Sequence, residues 1–79
     1  MNEYTLDITG KEIHIDSPDI CAFSDIDIVT TNYGDYVVDL CKYPNGAIVE
    51  YHKYVDKIII RTNCDLVKVS DSNYSLKLR

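Results

Sequence analysis

Apolar and polar residues change places at every second position along most of this chain. Tyr4-Thr5-Leu6-Asp7-Ile8-Thr9 sorts its side chains into an apolar and a polar set. Glu12-Ile13-His14-Ile15-Asp16, Asp25-Ile26-Asp27-Ile28-Val29-Thr30 and Tyr74-Ser75-Leu76-Lys77-Leu78-Arg79 do the same. Successive side chains of an extended strand point to opposite faces, so this spacing makes half-buried strands and argues against a helical bundle. Composition agrees where it bears on the point. Ile occurs ten times and Tyr seven times against two Ala, and Asp outnumbers Glu ten to three. Branched and aromatic side chains fit a pleated sheet, and Asp favours turns and caps over helix interiors.

Turn signals divide the strands. Gly10-Lys11 separates the first two alternating runs, which read as a hairpin. The strongest hairpin joins Tyr36–Tyr43 to Ala47–Tyr54 across Pro44-Asn45-Gly46. Proline presets φ for the first turn position and glycine supplies the left-handed residue of a type I turn with a G1 bulge. That turn places Cys41 opposite Val49, Asp39 opposite Tyr51 and Val38 opposite His52. A two-residue Asn45-Gly46 turn would set Asp39 against His52 instead, and Pro44 favours the bulged form. Ile58-Ile59-Ile60-Arg61 reads as a central strand buried on both faces.

One stretch breaks the alternation. Ser17 can cap, Pro18 fits a first helical position and Asp19 suits the positive end of a helix dipole, so one short helix is expected near residues 17–23. Ile20 and Phe23, three apart, are then expected to plug an open end of the sheet structure. Taken together the chain reads as a single domain over residues 1–79. It is mainly β, a small antiparallel β-barrel or sandwich of about six to seven short strands. At 79 residues a domain buries only about 60% of its unfolded surface, and dimerisation would add to a slim stability.

Charge is unevenly spread. The first forty residues hold nine carboxylates and one base, Lys11, whereas residues 41–79 hold four acids and seven bases, so a −8 half and a +3 half make up the net −5. An acidic field of this kind attracts basic partners over roughly a Debye length, about 8 Å at physiological salt. The carboxylates read as outward-facing are Asp7, Glu12, Asp16, Asp25, Asp27, Asp35 and Asp39. Tyr33, in the Thr31–Asp35 loop, adds an aromatic ring suited to an interface.

Several function classes fail on motif grounds. Cys21, Cys41 and Cys64 form no C-x-x-C pair and lie at wide spacings; they read as reduced, buried fillers, and with two scattered histidines they make no metal site. No cofactor is expected. Asp25 and Asp27 on an alternating strand read as solvent-facing rather than as a catalytic pair, and no cysteine sits where its thiol would be activated. The three glycines are isolated in turns, so no phosphate loop exists. A pI near 4.7 opposes direct nucleic-acid binding. No export signal is present at the N-terminus, and no apolar run is long enough to span a bilayer, so a cytoplasmic protein is expected. Abundant Ile, Asn, Lys, Asp and Tyr would suit an A/T-rich coding genome, as in a phage or a low-GC bacterium.

The sequence therefore points to a non-enzymatic, acidic protein-binding module. The foremost expectation is an inhibitor, phage anti-defence, anti-CRISPR-like or host-takeover, that occupies a basic nucleic-acid-binding surface on a nuclease or similar partner. Its carboxylates would stand in for phosphates, as in a DNA mimic. The alternative is a structural or assembly subunit whose acidic N-terminal strands meet the basic C-terminal strands of another copy, giving a homo-oligomer such as a dimer.

Overall fold

The computed structural model describes residues Met1–Arg79 as a mainly β protein with eight strands and one 3-10 turn. In chain order the strands are β1 (Asn2–Asp7), β2 (His14–Asp16), β3 (Asp27–Asn32), β4 (Val37–Lys42), β5 (Ile48–Lys53), β6 (Lys57–Thr62), β7 (Cys64–Ser70) and β8 (Asn73–Leu78). They form a five-stranded sheet in the order β1-β6-β5-β4-β3 and a three-stranded sheet in the order β2-β8-β7. All pairings are antiparallel except β2 with β8, which is parallel.

The β4–β5 hairpin has the bulged register. Cys41 lies opposite Val49, Asp39 opposite Tyr51 and Val38 opposite His52. The Tyr43 N–H donates to the Ala47 carbonyl at 2.9 Å and the Gly46 N–H to the Tyr43 carbonyl at 3.1 Å, with Gly46 at φ 92°. A left-handed residue here is cheap only for glycine.

The hairpin read at Gly10 does not form. Gly10 does turn the chain, at φ 66°, but the turn carries it from one sheet to the other. β1 pairs with β6, setting Tyr4 beside Ile60 and Leu6 beside Ile58, while β2 joins β8. The apolar β6 offers β1 a better side-chain ladder than the short β2 could. Leu6 and Ile15 then pack on the same core from opposite sheets.

That core is small. Val49 and Ile60 from the first sheet, with Ala47 just before β5, meet Cys64 and Leu76 from the second, and eight of 79 residues are buried. Val49, Ile60 and Leu76 each contribute about 1.5–3 kcal/mol by leaving water. β6 sits inside its sheet, but of its three isoleucines only Ile60 is sealed; Ile59, on the outer face, is half-buried. The chain crosses between sheets in one residue, Asn63. Its amide accepts from the Ile48 N–H at 2.9 Å and donates to the Gly46 carbonyl at 3.0 Å. Beside it the buried Thr62 hydroxyl donates to the Ile48 carbonyl at 2.7 Å and accepts from the Cys64 N–H at 3.0 Å. The corner thus satisfies backbone groups that would otherwise be unpaired inside the fold.

The expected helix is replaced by a single 3-10 turn, Phe23–Asp25, after a bent stretch through residues 17–19. The Ser17 hydroxyl donates to the Asp19 carbonyl instead of capping a helix N–H. No helix is long and apolar enough to cross a membrane.

Candidate functional site

Between β2 and β3 the chain runs along one rim of the sandwich, from Asp16 to Asp27. Two anchors hold it to the tip of the β4–β5 hairpin. The Asn45 side-chain amide donates to the Pro18 carbonyl at 2.8 Å, and the Asn45 backbone N–H donates to the Asp19 carboxylate at 3.0 Å. Further along, the Asp25 N–H donates to the Ala22 carbonyl at 2.9 Å and the Ile26 N–H to the Phe23 carbonyl at 3.1 Å, closing the 3-10 turn. Cys21 is half-buried. Burial pushes its thiol above the usual range, and the nearby Asp19 and Asp25 carboxylates push in the same direction.

With Cys21 turned in, Ile20 and Phe23 turn out. Ile20 is fully exposed and Phe23 is 77% exposed, so neither plugs the sandwich. The missing helix explains this. An i, i+3 pair shares one face only on a helical backbone, and here the chain is bent and extended before Phe23. The same segment carries Asp16, Asp19, Asp25 and Asp27. Asp27 lies opposite Lys42 in the β3–β4 register, and Asp16 meets the His14 ring at 2.7 Å; Asp25 has no ion-pair partner. A groove of about 460 Å³ runs beneath the segment, with Asp19 and Ile20 on one wall and Lys77 and Arg79 on the other.

The remaining sequence-predicted residues lie elsewhere. Asp7 ends β1, beside Lys57 in the β1–β6 register. The Thr9 backbone N–H donates to it at 2.8 Å, and this bond holds its carboxyl below the usual range. Glu12 is exposed in the loop before β2. Asp35 lies in the β3–β4 turn, at the end of the sheet away from Asp25 and Asp27. Strand order puts Asp7 and Asp35 on opposite edges of that sheet. Asp39 faces inward, contrary to the outward placement read from the sequence. It shares the face of Cys41 and Tyr51, meets Lys53 at 2.6 Å and accepts from the Thr30 hydroxyl at 2.7 Å. The Lys53 and Thr30 contacts hold its carboxyl below the usual range. Thus the fold gathers Asp16, Asp25 and Asp27 along one rim and separates Asp7, Glu12, Asp35 and Asp39 from them.

Tyr33 joins a different feature. Its ring stacks on Tyr36 at 5.0 Å between centroids, Tyr36 stacks on Tyr54 at 4.7 Å, and the Lys57 ammonium lies 5.0 Å from the Tyr54 centroid. This ladder lines the end of the sheet near Asp35. An inner cleft of about 340 Å³ lies between Ile15 and Ile28, with the Asp39–Lys53 pair in its wall. Burial pushes the Tyr43 and Tyr51 hydroxyls and the Cys41 thiol upward. No three metal-ligating side chains converge.

A small part of the charge split is settled inside the chain. Glu3 pairs with Arg61 at 3.2 Å and Asp39 with Lys53, joining acids of the first half to bases of the second, while Arg79 pairs with Asp65 at 2.8 Å. Sequence reasoning missed Ile20 and Phe23 as surface side chains and Asn45 as the tether of the segment. The available signal was the run of carboxylates on both sides of the apolar pair, which is poor company for a buried plug. No family model, curated protein or solved structure matches the chain.

Proposed function

We propose that this chain is a non-enzymatic protein-binding module that docks through the rim segment Asp16–Asp27. One observation carries the reading: Ile20 and Phe23 are held in water on a segment tied down at both ends. Two large apolar side chains left exposed within four residues of one segment are a typical anchor for a partner, because burying each is worth about 1.5–3 kcal/mol. Tethering through Asn45 lowers the ordering cost of binding. Asp16, Asp19, Asp25 and Asp27 on the same segment define the partner's chemistry as an apolar pocket rimmed by lysine or arginine. The narrower reading, an inhibitor seated on the basic surface of a nuclease or another nucleic-acid-handling protein, rests on that charge complementarity. The assembly reading draws less support, because Arg61, Arg79 and Lys53 already have carboxylate partners within the chain.

Purified nucleases, polymerases and other basic nucleic-acid-handling proteins provide the test, each titrated against the wild-type chain and an Ile20→Ser/Phe23→Ser variant. A true partner binds the variant about a hundredfold more weakly, loses affinity with added salt, and is displaced by nucleic acid. Equal binding of the two chains would exclude the rim segment. Binding that nucleic acid does not displace would leave a docking module and remove the inhibitor reading.

A further inference from the structure

The two sheets have four outer strands, and three carry recognisable protection against pairing with another chain. β2 is only three residues long. β7 has an irregular register between Lys68 and Ser70 and an outward lysine. β1 is tied to β7, its Asn2 amide donating to the Cys64 carbonyl at 2.9 Å. β3 has none of these devices. It is six residues long, exposed throughout, regular in register, and free of proline, glycine, lysine and arginine. Between Ile28 and Asn32 it carries no charge.

The phase of its hydrogen bonding follows from one contact. The Tyr33 N–H donates to the Tyr36 carbonyl at 2.9 Å, and antiparallel ladders alternate. The backbone groups of Val29 and Thr31 therefore point toward β4, whereas those of Ile28, Thr30 and Asn32 point outward without a partner. We propose that this edge pairs with β3 of a second copy, antiparallel, about a two-fold axis through Thr30.

A two-fold axis perpendicular to the sheet keeps inner and outer faces matched across the join. It sets Thr30 opposite the partner's Thr30 and Ile28 opposite the partner's Asn32, so all three outward-facing residues find outward-facing partners. About six interchain hydrogen bonds form. Val29, 56% exposed in the single chain, meets the partner's Thr31, a branched pair suited to a sheet. Asp27 faces the partner's Tyr33, so no like charges oppose each other within the paired strands, although Asp25 and Asp27 approach the end of the partner's sheet that carries Asp35. This self-complementarity favours a second copy over an unrelated strand, and it joins the two five-stranded sheets into one.

Electrostatics separates this contact from the docking proposed above. Each chain carries −5, so two copies repel at long range and added salt strengthens the dimer. Docking on a basic partner weakens under the same change.

Sedimentation equilibrium across protein and salt concentration, with amide hydrogen exchange on the same samples, tests the inference. The expected result is a dimer that tightens with salt. Protection should rise with concentration at the Ile28, Thr30 and Asn32 amides, while the Val29 and Thr31 amides are protected throughout. Thr30→Pro removes an outward N–H and leaves the β3–β4 ladder intact, so it should weaken association about tenfold or more. If the variant fails to fold, the exchange pattern of the wild-type chain decides alone. A monomer at every concentration, or a dimer whose Ile28, Thr30 and Asn32 amides exchange freely, overturns the inference.

Discussion

Thr62→Val is nearly isosteric and removes little beyond one hydroxyl, yet it should be among the most damaging single changes available. Thr62 is fully buried. Its oxygen accepts from the Cys64 N–H at 3.0 Å and donates to the Ile48 carbonyl at 2.7 Å, bridging the strands where the chain leaves one sheet for the other. Valine fills the same space and leaves the Cys64 N–H unpaired in the interior. The Ile48 carbonyl keeps a long bond from the Asn63 N–H at 3.4 Å, so its loss is smaller. A buried group left without its partner costs about 1–3 kcal/mol, which sets the total for the two near 2–3 kcal/mol. A domain of this size has about 4–12 kcal/mol of stability in all. The melting temperature should therefore fall by about 10–20 °C. Thr62→Ser is the control. It keeps both hydrogen bonds and loses one buried methyl, about 1 kcal/mol. Urea titration and thermal melts followed by circular dichroism should rank wild type above serine and serine above valine. A valine variant at least as stable as the serine one would refute the bridging role of the hydroxyl.

Two further outcomes follow from the ion pairs and the rim. Asp39 is held below its unfolded value of about 3.9 by Lys53 and Thr30. Its stabilising contribution is therefore complete above that value and disappears as pH falls through the lower folded value. Asp39→Asn should cost about 1 kcal/mol at neutral pH, since Lys53 is half in water, and should flatten the acid limb of a stability-against-pH curve. A limb unchanged in the variant would assign the acid sensitivity to other carboxylates. Asn45→Ala removes the side-chain ties to Pro18 and to the Ala47 N–H. About 1 kcal/mol of stability should be lost, and amide exchange should quicken at residues 19–23; unchanged exchange there would mean that the rim is held by the Asn45 backbone bond to Asp19, Cys21 and the 3-10 turn without the side-chain ties.

What the sequence revealed of this fold follows from how local each signal is. The β4–β5 register was legible because Pro44 and Gly46 fix a turn whose geometry dictates every pairing behind it. The β8 alternation was legible for a similar reason: Leu76 goes in and Lys77 goes out on any half-buried strand. The Gly10 hairpin was not, because a glycine turn fixes a change of direction and leaves open which strand lies beside it. That choice was made by Ile58 and Ile60, some fifty residues away along the chain. Asp39 was misread as outward even though its parity with Cys41 and its register with Tyr51 placed it inside. Lys53, two residues beyond Tyr51 on the same face, was the partner that made an inward carboxylate tolerable. For the candidate site, the outward placement of the acids at positions 16, 25 and 27 is legible in the sequence, but the apolar pair between them reads as core. A helical reading of residues 17–23 made Ile20 and Phe23 one face, whereas the ties to Asn45 set a bent path that turns them outward.

The rim segment as docking site is tested most directly by amide chemical shifts of the labelled chain during titration with a purified basic protein that binds it. The account predicts that the largest changes fall on residues 19–25 and vanish with Ile20→Ser/Phe23→Ser, a variant whose own stability stays within about 0.5 kcal/mol of wild type. Shifts centred on the Tyr33–Tyr36–Tyr54 ladder or on the inner cleft, with residues 19–25 unmoved, would contradict it.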